Sequence, residues 1–289
     1  MKINYIRKAR IAAIAVIGFA LSFSSALQAQ NTWFFVGGTG TGSPLIELSN
    51  WNSVADGSGS SPRSFAVSDT WILNNGATRV GNGNGDTFAP TLTVQGDSSV
   101  ASLNWVGTKT YLTQANVASG QVLRTEGASQ TTCGLVITTF NLDGIMIMRG
   151  RIHQGVQRHT QLHVGTLTGS GSLFAGDAQQ GREDVNLSLN IGNAFDFTGQ
   201  VRFRNTTGGF LGNTDLSSAQ LFIQQADHPD RFTTFDVRHN ITVKELNIQG
   251  SIHRAAATYS ASDLTNLLSP GHRIRFLDNV GRITVVPTE

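Results

Sequence analysis

The stretch VNLSLNIGNAFDFTGQVRF, residues 185–203, decides the fold class. Val185, Leu187, Leu189, Ile191, Phe195, Phe197, Val201 and Phe203 all fall on odd positions, whereas Asn186, Ser188, Asn190, Asp196 and Arg202 fall on even ones. Successive side chains leave a β-strand on opposite sides, so a period of two marks a strand with one face buried. Gly192 and Gly199 are expected to bend or break the run into two or three strands, because an interior glycine marks a bulge or a corner.

Working outward, comparable short runs occur at 92–94, 103–105, 122–123, 135–137, 145–148, 162–164, 221–223, 235–243, 246–248 and 283–285. Strands at such close, regular spacing predict a sandwich, a barrel or a solenoid. The chain carries 32 glycines, six prolines and only 14% charged residues, which suits many short strands joined by tight turns. The phrases LTVQGDSSVASLNWVG (92–107), LHVGTLTGSGSLFAG (162–176) and VKELNIQGSIHRA (243–255) share an order of short strand, glycine turn and short strand. Units of this kind cannot bury their own apolar faces, but stacked on one another they bury a continuous core. The sequence therefore predicts an all-β fold, a right-handed parallel β-helix with capping ends; a β-sandwich or jelly roll is the alternative.

The two ends depart from this pattern. MKINYIRKAR carries Lys2, Arg7, Lys8 and Arg10, an apolar run follows from 11 to 23, and ALQA closes the segment. A charged region, a short apolar region and a small-residue cleavage site predict a secretory leader over 1–29, cut after Ala29. The apolar run is shorter than the ~20 residues a membrane helix needs, so no integral membrane protein is expected after cleavage. Without the leader, Lys plus Arg falls from 21 to 17 against 19 acids, a net charge near −2. That balance gives no basic surface for nucleic acid. Cys133 is the only cysteine and cannot form an intramolecular disulfide; it reads as a small apolar residue beside Leu135 and Ile137. Residues 30–90, rich in Trp and Gly and holding Trp33, Trp51 and Trp71, read as an N-terminal cap with the first strands, and 91–256 as the solenoid body. Residues 257–289 read as a C-terminal cap with a final strand and one short helix. That helix is capped by Ser260 or Ser262, presents Leu264, Leu267 and Leu268, and stops at Pro270-Gly271.

The most distinctive polar segment is RGRIHQGVQRHTQLHV, residues 149–164. As a single strand it would place Arg149, Arg151, His153 and His159 on one face with Gln157, Gln161 and His163. Such a strip could hold an acidic glycan by charge-assisted hydrogen bonds, or serve as a solvated outer face. His159 and His163 would stand ~13 Å apart on a strand, too far for one zinc ion. Asp177, Glu183 and Asp184, like Asp227, His228, Asp230 and Asp236, are of the type used in glycoside hydrolysis or Ca²⁺ binding, but they also suit turns. GNGNGDTFA (81–89) partly matches a Ca²⁺-binding nonapeptide but occurs once, so no cofactor is expected and Ca²⁺ is unsupported. Thr-x-Thr pairs at 91/93, 108/110 and 166/168 are irregularly spaced and read as ordinary strand threonines. No G-x-S-x-G elbow, H-E-x-x-H pair or Walker loop is present.

The opening NTWFFVGGTGTGSPLIELSNWNSVADGSGSSPRSFAVSDTWILNNG (31–76), the phrases LTGSGSLFAG (167–176) and NAFDFTGQVRF (193–203), and the closing TYSASDLTNLL (258–268) and GRITVVPTE (281–289) carry a likeness. Together they resemble secreted bacterial β-helix proteins with autotransporter-associated β-strand repeats, of the kind that continue into a PEP-type sorting tail; residues up to Glu289 show no such tail motif, and none is expected. The resemblance implies a secreted or surface-displayed β-helix and carries over no catalytic residue. The expectation is therefore a non-enzymatic structural or adhesive protein that is secreted, at the outer cell surface or in the periplasm, with extracellular polysaccharide or cell-surface components as partners. Polysaccharide binding is the first alternative, and a polysaccharide lyase or glycoside hydrolase the second.

Overall fold

The structure is a computed structural model that describes residues 30–37, 44–74, 79–80, 87–101, 109–126, 133–149, 152–153, 156–157, 159–176, 185–227, 229, 231–277 and 279–287. The expected leader, 1–29, and the run at 103–105 lie outside them.

The chain is a parallel β-solenoid. Each coil contributes one strand to a first sheet and then one to a second, so each strand pairs with its counterparts from the preceding and following coils. In the first sheet Thr87–Val94, Lys109–Val117, Cys133–Leu142, His159–Thr168 and Val185–Asn193 run side by side, all parallel. In the second, Asp97–Ala101, Val122–Glu126, Ile145–Arg149, Ser172–Ala175, Gln200–Phe203, Thr214–Ile223 and Ile241–Ile248 do the same. A jelly roll would be antiparallel throughout, so these registers settle the choice between the two architectures.

Like residues stack from coil to coil. Leu112, Ile137, Val164 and Ile191 are in register on the inner side of the first sheet. Leu123, Met146, Leu173, Val201, Leu221 and Leu246 are in register on the inner side of the second, each with no measurable exposure. Residues 185–203 form two strands, Val185–Asn193 and Gln200–Phe203, with Leu187, Leu189, Ile191, Phe197, Val201 and Phe203 in the core. Phe195 departs from the expected pattern: it lies in the turn between the strands and is 62% exposed, because the alternation of a strand does not carry through a turn.

The two corners of the coil differ. From first sheet to second the turns are short, at 95–96, 118–121, 143–144 and 169–171. Gly144 and Gly171 stack in this corner, where Ser172 N–H donates to Gly144 O (2.9 Å) and Gln200 N–H donates to Gly171 O (3.0 Å). A β-carbon on Gly171 would collide with Gly144 O, which is why glycine recurs there. From second sheet back to first the connections vary in length, from 204–205 to 224–232 and to 249–273, which carries the C-terminal helix.

Both ends are closed, as an open solenoid requires. At the N-terminus Thr32–Phe35 extends the first sheet in parallel with Thr70–Leu73, and Trp51–Asn52 crosses it antiparallel. Trp51 and Trp71 are completely buried, their rings 5.0 Å apart edge to face, and Trp51 stacks on Phe88 at 5.4 Å. At the C-terminus Ala257–Tyr259 pairs antiparallel with Ile283–Val285, beside the helix Ala261–Asn266. Ser260 caps that helix in a reciprocal box with Asp263, and Ala261 and Leu264 are buried beneath it. No helix among the described residues is long and apolar enough to cross a membrane.

Candidate functional site

The strip expected over 149–164 does not form one strand. Arg149 ends Ile145–Arg149 in the second sheet, Ile152–His153 and Val156–Gln157 make a small antiparallel hairpin, and His159 opens His159–Thr168 in the first sheet. The chain passes a corner within the segment, so Arg149 and His159 belong to different sheets. Arg151 and the side chain of His153 lie outside the described residues. So do Asp177, Glu183, Asp184, His228, Asp230, the 81–86 part of the nonapeptide-like run and the side chain of Cys133. Asp227 binds Arg204 and Asn205 in a corner loop, whereas Asp236 lies on the first sheet, so these two acids do not share a site. Among the described residues no group of three or more His, Cys, Asp or Glu is placed to hold a metal ion.

The outer face of the first sheet gathers the polar groups. Its long strands break alternation at residues 113–114, 138–139, 165–166 and 192–193, where two successive residues face outward. Two neighbours on the same side require a bend, so the face has two flanks. Gly165 fits the bend because a β-carbon there would press on Thr138 O at 2.5 Å.

The flank after the bend is an uncharged platform. Thr91, Gln114, Thr139, Thr166 and Asn193 are in register across five coils, with Thr93, Asn116, Asn141 and Thr168 beside them. Neighbouring strands lie ~4.8 Å apart and alternate residues along a strand ~6.6 Å apart, which makes a regular lattice of hydroxyls and amides. The side chains hold one another in place. Thr91 Oγ1 donates to Gln114 Oε1 (3.2 Å), and Thr168 Oγ1 donates to Asn141 Oδ1 (3.3 Å). Phe195, the exposed ring of the turn, follows two residues beyond Asn193. The Thr-x-Thr pairs 91/93 and 166/168 thus share one face, with coils carrying Gln, Asn and Thr between them.

The flank before the bend is polar and partly charged. Lys109, Gly134, Gln161, Ser188, Gly209 and Asp236 form one row through successive coils. A groove of about 320 Å³ opens beside Gly209, with walls that include His159, Asn186, Ser188, Asp236 and Arg238. His159 Nε2 and Ser188 Oγ share a hydrogen bond of 2.7 Å, and Arg238 pairs with Asp236 at 2.9 Å. Nearby, Lys109 Nζ lies 3.2 Å from His163 Nε2, and the Asn190 amide lies 3.2 Å from His163 Nδ1. Burial pushes His159 below the ordinary histidine value; burial, then the charges of Lys109 and His159, do the same to His163. Both rings are therefore neutral near neutral pH and act as hydrogen-bonding groups rather than cations.

Of Arg149 and His159, the two singled-out residues whose side chains the structure describes, this face uses His159. Asn186, Ser188 and Asn190 were legible as the polar half of the alternation, but Lys109 and Arg238 carried no sequence signal. The Gly208-Gly209 pair is the feature that marks the groove. Comparison with known proteins gives no match: no protein-family model, no curated protein and no solved structure matches the chain.

Proposed function

We propose that this chain is a non-enzymatic β-solenoid, displayed outside the cell, that adheres to neutral polysaccharide through the outer face of its first sheet. The observation that carries this reading is the uncharged platform from Thr91 to Asn193, a lattice of hydroxyls and amides held in register by the strands and partly ordered by the Thr91–Gln114 and Thr168–Asn141 hydrogen bonds. A polysaccharide repeats its hydroxyls along its length, so a lattice that repeats along the solenoid meets it with many weak contacts that add as a multivalent set. Ordered side chains lose little entropy on binding, and the exposed Phe195 ring offers an apolar face on which a sugar ring can stack. The groove at Gly209 gives the neighbouring flank room for a single sugar unit. The leader-like segment 1–29 and the likeness to autotransporter-associated repeat proteins support export, and the adhesive role follows from a rigid rod with one such face.

The test is adsorption of the purified chain to insoluble and soluble neutral polysaccharides, with reducing ends and unsaturated products followed in the same samples. Saturable adsorption without product release is expected. Release of cut oligosaccharide would replace this reading with the lyase or hydrolase alternative, and failure to adsorb to any polysaccharide would remove it.

A further inference from the structure

A second concave site lies away from the sheet face, in the N-terminal cap. A cleft of about 440 Å³ lies between the start of the first strand, Thr32–Phe35, and the 60–69 segment that leads into Thr70–Leu73. Its walls carry Trp33, Arg63, Asp69 and the hydroxyls of Ser61, Ser64 and Ser68.

Each group has a defined state. Asp69 is buried and receives hydrogen bonds from Trp33 Nε1 to Oδ2 (2.7 Å) and from the Asn31 backbone N–H to Oδ1 (3.1 Å), with the Asn31 side-chain amide also acting on it. Burial alone would raise its pKa, but these bonds outweigh it and hold the carboxyl below the usual aspartate value, so it is a fixed anion. A carboxylate has about four acceptor positions, so one remains for a further donor. Trp33 is pinned by this bond and by Trp71, whose ring lies 6.1 Å away at a tilt of 32°. Arg63 is exposed on the rim and, among the described residues, has neither an ion pair nor a hydrogen bond. Arg63 thus differs from Arg124, Arg204, Arg238 and Arg254, which hold carboxylates, from Arg273 and Arg282, which donate to backbone carbonyls, and from Arg202 and Arg275, which lie over phenylalanine rings.

We infer that this cleft binds one acidic sugar unit, a hexuronate. The carboxylate of the sugar pairs with the Arg63 guanidinium in the two-pronged geometry that favours arginine. Its ring lies against Trp33, and its hydroxyls donate to Asp69 and exchange hydrogen bonds with Ser61, Ser64 and Ser68. Neutral sugars lack the group that Arg63 recognises, and inorganic anions lack the hydroxyls and the apolar ring face that the other walls recognise. The site is independent of the sheet-face adhesion proposed above, and lies at one end of the solenoid rather than along it.

The experiment is calorimetric titration of the purified chain with a glucuronate tetrasaccharide and, separately, with a glucose tetrasaccharide. One uronate site is expected, with the neutral tetrasaccharide at least tenfold weaker at it. Arg63→Gln should weaken uronate binding about tenfold or more, the loss of a charge-assisted pair, with an unchanged unfolding midpoint because the side chain supports nothing else. Thr139→Ala with Thr166→Ala, on the sheet face, should leave uronate binding unaltered. Equal affinity for the two sugars, uronate binding undiminished by Arg63→Gln, or uronate binding abolished by the sheet-face pair would each overturn the inference.

Discussion

Single residues set how closely the coils can approach. Gly171 faces Gly144 O across the short corner, so Gly171→Ala forces a methyl group into a backbone that the ladder holds in place. A cost of about 3 kcal/mol is expected, read from the urea midpoint. Gly96 occupies the same corner in an earlier coil with φ at +68° and open space around it, so Gly96→Ala should cost only the left-handed backbone term of about 1 kcal/mol. Equal effects at the two sites would contradict stacking as the reason for glycine. His159 and His163 set a different dependence. Their folded pKa values lie below the ordinary ~6.5, so the unfolded chain binds protons first as the pH falls, and stability rises with pH across that window. The urea midpoint should therefore drop between about pH 7.5 and about pH 5.5. In His159→Asn with His163→Asn the drop should shrink.

At the scale of elements, the strands were legible because alternation is a local property. Residues 185–203 gave both of their strands, and 257–276 gave the helix with Ser260 or Ser262 as its cap, of which the structure uses Ser260. Ser260→Ala removes the acceptor for Asp263 N–H and should cost about 1 kcal/mol, seen as earlier loss of amide-exchange protection in the C-terminal cap. Two features were not legible. Phe195 continues the alternation by position but sits in a turn, where strand periodicity no longer dictates direction. The 149–164 segment has strand-like spacing throughout, yet its chain turns a corner between Arg149 and His159, and no local pattern announces which strands a given strand will join. For the same reason the groove was hidden. Ser188 meets Gln161 and Gly209 only through the register of successive coils, and the echoes between those coils are too loose in sequence to fix it.

Across the whole molecule, stacking converts short polar strands into a long patterned surface. The platform exists because Thr91, Gln114, Thr139, Thr166 and Asn193 come to one row although each lies in a different coil. The second sheet presents a different outer face, with Ile145 and Gln220 on a common row and Arg202 lodged between Phe174 and Phe222 at 4.9 and 5.0 Å. The two faces of one rod thus serve as each other's control. The decisive measurement is adsorption to neutral polysaccharide of two double variants, Thr139→Arg with Thr166→Arg on the first sheet and Ile145→Arg with Gln220→Arg on the second. Affinity reduced tenfold or more by the first pair and unchanged by the second is the predicted result. Loss confined to the second pair, or equal loss in both with intact folding, would contradict adhesion through the first sheet.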